Sequence, residues 1–167
     1  MGKSNVFKSA IMKKLELVLI TGALIGLVLG LLNVPYHSLI TSLFLLALGT
    51  IYFYLGFALF NEIPFGKIFK PESYNGLGKW RLGIAVGTGI GLSQLTIGFL
   101  FAINKYPMTR SFLSLGLVIT ALMLLLALIR NKSEKHRFYW IISLRCATFI
   151  IIGAIVLLLH LQQALEA

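Results

Sequence analysis

Arg145 stands inside the apolar run Phe138–Leu159, Glu16 near the start of another, Leu15–Leu32, and Gln94 in the middle of a third, Leu82–Ile103. Each of these groups needs a partner in an apolar setting. An Arg at the centre of a bilayer is unfavourable by about 2.5–3.5 kcal/mol on insertion scales, and a carboxylate by a similar amount. Arg145 lies seven residues past Phe138, roughly 10 Å along a helix at about 1.5 Å per residue. At that depth Glu16 is the natural counter-charge, and Glu62, at the end of the run Leu39–Phe60, is the alternative. A charged pair of this kind would make a polar site or a proton path. The simpler expectation is that the Arg145 stem snorkels to the headgroups and leaves Glu16 on its own. Gln94, flanked by Ser93 and Thr96, is expected to bond to a neighbouring helix rather than to a ligand. Thr120, Ser143 and Thr148 are expected to bond back to their own helix backbones.

Other chemistry has little to work with. The acids are five Glu and no Asp, placed at the ends of apolar runs, in loops or in the tail. No carboxylate pair therefore offers general acid–base catalysis. His37, His136 and His160 are far apart in sequence and lack neighbouring Cys or Asp, so no metal or cofactor site is expected; solvated interfacial rings are the default. The one Cys, Cys146, has no partner in the chain. Gly87-Thr88-Gly89-Ile90-Gly91 has the look of a phosphate loop, but no strand precedes it and no Lys-Ser/Thr follows it.

The elements that must position these groups are membrane helices. The chain is 58% hydrophobic and 12% charged. Such a composition cannot cover a soluble core with polar surface, and it is too apolar for disorder. Five runs are long enough to cross a bilayer: 15–32, 39–60, 82–103, 112–129 and 138–159. All must be helical, because backbone amides in hydrocarbon have no water to bond. The expected fold is therefore an all-α membrane protein of five transmembrane helices in one domain, residues 1–167. The first run follows Lys3, Lys8, Lys13 and Lys14 like a signal peptide, but it lacks a small-x-small cleavage site and is read as a span. Val6 stands where myristoylation would need Ser or Thr.

Charge gives the orientation. Twelve Lys and Arg fall in the N-terminal segment, in 61–81 and in 130–137, whereas the opposite side holds Lys105 and Arg110. The positive-inside rule then places the N-terminus in the cytoplasm and the C-terminus outside, in a bacterial inner membrane. The net charge of +10 is thus accounted for by topology and calls for no nucleic-acid partner. The 61–80 connection, with Pro64, Gly66, Pro71 and Gly76, cannot form a long helix; it is expected to lie on the inner surface, apolar side down.

The first four spans read as two parallel hairpins that match at a constant offset. Each has a short Pro turn: Asn33-Val34-Pro35-Tyr36-His37 and Asn104-Lys105-Tyr106-Pro107-Met108. Pro35 aligns with Pro107 and Gly26 with Gly98. Gly22, Gly26 and Gly30, and again Gly83, Gly87 and Gly91, repeat a small residue every fourth position. Each set makes a face for close helix packing, within the chain or between copies.

The stretch Gly26 to Pro35, a Gly-rich span running into a short turn with Asn33 where a His would stand, and the apolar second span after it resemble the N-terminal membrane hairpin of gliding-motility GldL-type proteins of Bacteroidota. That resemblance implies a motor role through a membrane carboxylate in the second span of the hairpin. Here neither 39–60 nor 112–129 contains an acid, and Gly49 and Thr120 lie near the corresponding depth.

The leading functional expectation is a non-enzymatic structural or accessory subunit of a membrane complex, in contact with the bilayer and with another membrane protein or a second copy. The alternative is a small oligomeric transporter or channel for an ion or small solute, with Arg145 and Gln94 lining its polar path.

Overall fold

Helix covers the runs that hydropathy assigns to the membrane, all but Leu32, and extends past each run at one end or both. A computed structural model describes the backbone of residues 3–165 and the side chains of residues 11–162. Its helices are α1 Lys3–Leu31, α2 His37–Phe60, α3 Lys79–Ile103, α4 Thr109–Glu134 and α5 Arg137–Leu165. All five contain a segment long and apolar enough to span a membrane, so the chain is an all-α, multi-pass membrane protein. The helices overrun the spans because hydropathy ends at the hydrocarbon boundary, whereas backbone hydrogen bonding does not. At 130–137, expected to be a loop, helix takes up most of the connection. There α4 runs on to Glu134, with an Arg130–Glu134 ion pair of 3.5 Å one turn apart. The break is confined to Lys135 and His136. His136 starts α5: its ring Nδ1 accepts the backbone N–H of Phe138 at 3.0 Å, as an N-cap does.

Three helices stop by the same device. After α1, Asn33 turns left-handed (φ 54°); its N–H donates to the Gly30 carbonyl and that of Val34 to the Leu29 carbonyl. After α3, Lys105 (φ 55°) and Tyr106 repeat both bonds onto Ala102 and Phe101. After α2, Glu62 (φ 59°) and Ile63 do so onto Leu59 and Ala58. This is the reversed helix cap that Gly usually serves, since a side chain there is strained by roughly 1–2 kcal/mol. Lys105→Gly is therefore expected to stabilise the fold by up to about 1 kcal/mol, read from unfolding in mixed micelles.

Glycine decides which helix is central. α3 packs against α2, α4 and α5, whereas α1 packs on α2 and touches the short 3-10 turn Phe65–Lys67. Gly87 and Gly91 face α4: a Cβ on Gly87 would overlap Met123 Sδ, and one on Gly91 would lie 2.6 Å from Thr120 Oγ1. Gly89, on the other side of α3, lets that helix meet α2 backbone to backbone; its Cβ would fall 2.6 Å from the Tyr52 carbonyl oxygen. The α1 set packs on α2 within the chain, with Gly22 against Phe44, Gly26 against Thr41 and Gly30 against His37. Gly98 on α3 faces Leu113 of α4. Gly83 meets nothing within 4 Å and belongs to no packing face among the described residues.

The 61–78 connection carries a second 3-10 turn, Pro71–Tyr74, and its apolar residues divide. Ile63 and Ile68 are buried and Tyr74 and Leu77 pack against the core, whereas Phe65 and Phe69 are exposed. The Tyr74 hydroxyl donates to the Ile68 carbonyl, and its burial pushes the phenol pKa up.

Candidate functional site

The intramembrane charges meet. Arg145 on α5 donates through Nη1 to Glu16 Oε1 on α1, and the Tyr52 hydroxyl on α2 donates to the same oxygen at 2.9 Å. Three helices bring their side chains to one depth. Tyr52 lies eight residues before Phe60, and Arg145 eight residues after Arg137. Eight residues of helix carry each side chain about 12 Å from the basic end. Glu16 is 5% exposed and Tyr52 1%, whereas the Arg145 side chain is 28% exposed, so the carboxylate is the desolvated member. Aromatic rings seal the cluster: Phe60 lies under the Arg145 guanidinium at 5.4 Å, and Phe149 meets the Tyr52 ring edge-on at 5.8 Å.

The expectation that Arg145 snorkels alone is thereby corrected. Glu16 stands within reach of the guanidinium on the facing side of the α1–α5 gap. Pairing satisfies both charges, whereas snorkelling would strand the carboxylate in hydrocarbon. Glu62, the alternative partner, is taken by Lys13.

That Lys13–Glu62 pair belongs to a second, more exposed layer at the basic end. The hydrogen bond from Lys13, helped by Arg137 and Arg81 nearby, holds the Glu62 carboxyl below its ordinary pKa. A carboxylate with a depressed folded-state pKa contributes its full stabilisation above the ordinary value and loses it as pH falls through the lowered one. Both side chains are about half exposed. The pair is therefore worth little, under about 1 kcal/mol. Lys13→Gln is expected to raise the Glu62 titration toward the ordinary carboxylate range, followed by NMR of the chain labelled with 13C-glutamate.

Around this pair, Arg81 Nε donates to Asn61 Oδ1 at 2.8 Å and its guanidinium covers the Phe138 ring at 4.6 Å. Arg130 covers Trp80 at 4.5 Å. Basic residues of α1, α3, α4 and α5 are thus drawn to one end of the bundle; Lys3 and Lys8, counted with them, lie outside the residues whose side chains are described. A cavity of about 310 Å³ opens there, lined by Lys13, Glu62, Arg81, His136, Arg137 and Arg145 among others.

Gln94 lies elsewhere. It lines a crevice of about 260 Å³ with Gly49, Thr50, Phe53, Tyr54, Ser93 and Ile97, none of which borders the cavity at the basic end. Its buried Oε1 has no hydrogen-bond partner among the described residues, against the expectation of a bond to a neighbouring helix. The facing stretch of α2 offers Gly49, which has no side chain, and Thr50, whose hydroxyl is already given to the Leu46 carbonyl at 2.8 Å. Of the hydroxyls expected to bond to their own helices, Thr148 does so, donating to the Leu144 carbonyl at 2.9 Å. Thr120 Oγ1 and Ser143 Oγ are instead buried without partners among the described residues. Thr120 faces Gly91 across the α3–α4 contact, where packing sets its surroundings. His37 is half-buried with Nδ1 2.9 Å from the Val34 carbonyl oxygen, so its ring is held by the turn rather than freely solvated.

Sequence reasoning missed Tyr52, because a Tyr beside Phe53 and Tyr54 reads as part of a lipid-facing aromatic cluster. Its depth, equal to that of Arg145, was the available signal. No family model matches this chain, and no curated protein or solved structure matches it.

Proposed function

We propose that the chain is a non-enzymatic, multi-pass protein of a bacterial inner membrane, with its N-terminus in the cytoplasm, that serves as a structural or accessory subunit of a membrane complex. The observation that carries this reading is Gln94: an amide with an orphan buried oxygen, in a crevice that opens beside the exposed rings of Phe53 and Tyr54. An unpaired polar group in hydrocarbon is unfavourable by about 1–3 kcal/mol, and a helix from another membrane protein, or from a second copy, would relieve that by supplying a donor.

The transporter alternative is less well supported, because Arg145 and Gln94 line separate cavities and Glu16 is engaged by two donors. The resemblance to GldL-type hairpins adds no motor role in this proposal: the membrane carboxylate stands on the first helix of a hairpin and is held by Arg145. Extraction in mild detergent followed by mass spectrometry of the intact assembly tests the subunit reading. The expected result is a partner, or a second copy, at fixed stoichiometry that Gln94→Leu releases. Recovery of the wild-type chain alone would contradict it.

A further inference from the structure

The cavity at the basic end adjoins a second one. Lys13 and Arg145 border both; the second, of about 400 Å³, runs between α1 and α5 past Leu17, Ile20, Leu144 and Phe149, with Tyr52 also on its wall. Volumes of this size fall in the ~300–1,000 Å³ range of ligand sites. The gap exists because α1 and α5 flank the bundle without packing along each other, joined there by the Glu16–Arg145 bridge. One half of this space is cationic and the other apolar.

We propose that it binds an anionic phospholipid, with the headgroup phosphate in the basic cavity and an acyl chain in the α1–α5 groove. Charge favours an anion. Lys13, Arg81, Arg137 and Arg145 face the headgroup half, opposed by Glu62 there and by Glu16 in the adjoining groove, so the lining keeps a net positive charge. Arg137 is exposed and has no ion-pair partner among the described residues. Its planar fork is thus left for two parallel bonds to phosphate oxygens. Position favours a lipid over a soluble anion. The headgroup half sits where α1, α3 and α5 leave the hydrocarbon, and the apolar half opens sideways to the acyl chains, which a soluble phosphate would leave unused. Basic pockets between membrane helices are the usual receptors of such headgroups. The site stands independently of whether the chain is a subunit, since Gln94 and its crevice take no part in it.

The test is native mass spectrometry of the full chain in a neutral detergent, titrated separately with phosphatidylglycerol, phosphatidylcholine and inorganic phosphate. Phosphatidylglycerol is expected to bind at least about ten-fold more tightly than phosphatidylcholine, from two or more headgroup contacts at about 1 kcal/mol each. Arg137→Gln and Lys13→Gln should each weaken it about five-fold, whereas Lys132→Gln, which removes a charge from the same end but outside the cavity, should leave it unchanged. Lys13 is half exposed, so its variant reports on the site even if Arg137→Gln proves poorly folded. Equal binding of the two lipids would overturn the proposal. So would inorganic phosphate binding as tightly as the anionic lipid, which would make the occupant a soluble anion. An equal loss in Lys132→Gln would reduce the effect to the general charge of that face and overturn it as well.

Discussion

Arg145→Leu is expected to destabilise the protein by about 3–5 kcal/mol, the usual effect of removing one partner of a buried ion pair. The loss arises less from the missing attraction than from what remains. Glu16, 5% exposed, would be left with the Tyr52 hydroxyl as its one donor and no counter-charge. The reverse change should be milder. Glu16→Gln keeps an acceptor for Tyr52 and for Arg145, and the guanidinium, being more exposed, can turn toward the basic cavity. The double variant Glu16→Leu with Arg145→Leu removes both charges and should recover much of the loss, since apolar replacement of a buried pair is often neutral or stabilising. Unfolding followed by circular dichroism in mixed micelles gives the cycle. Losses that simply add would show that the two residues are not coupled.

The second large effect is expected at Gly89. A Cβ there would lie 2.6 Å from the Tyr52 carbonyl oxygen and 3.3 Å from the Gly56 Cα, and neither atom belongs to a side chain that can turn away. Gly89→Ala must therefore push α2 and α3 apart, with a loss of about 1–3 kcal/mol as for other overpacked sites, and Gly89→Leu should abolish the fold. The displaced backbone is that of Tyr52, so Gly89→Ala should also loosen the Glu16 cluster, read as a smaller Glu16–Arg145 coupling in the same double-mutant cycle. Gly83→Ala is the matched control, because its Cβ enters open space. That change should stabilise the helix by up to about 1 kcal/mol. Equal losses at the two glycines would show that helix propensity, not interhelical approach, sets the effect.

How far the sequence anticipates these features depends on which force sets each one. Hydropathy locates all five spans because transfer into hydrocarbon is a local property of roughly twenty residues. It misplaces the helix ends, because those depend on caps such as His136 and on left-handed residues such as Asn33 and Lys105 that are not glycine. Depth along each helix makes Glu16 the natural partner for Arg145, but choosing pairing over snorkelling requires the α1–α5 gap, a tertiary feature. Spacing by four includes Gly26 and Gly91, which face Thr41 and Thr120. It also counts Gly83, which packs on nothing, and passes over Gly89, whose face is set by α2 rather than by α3's own pattern. Gln94 is visible in sequence as a polar residue at mid-membrane. Its lack of a partner is not, because that depends on Gly49 and Thr50 standing opposite.

We propose that the Glu16–Arg145 pair is a structural tie between α1 and α5 rather than part of a path across the bilayer. Ion and proton flux through liposomes reconstituted with the full chain tests it most directly. The expected result is flux no greater than that of empty liposomes across a panel of ions and under a proton gradient. Flux above that background, abolished by Glu16→Gln in a chain that remains folded, would contradict it.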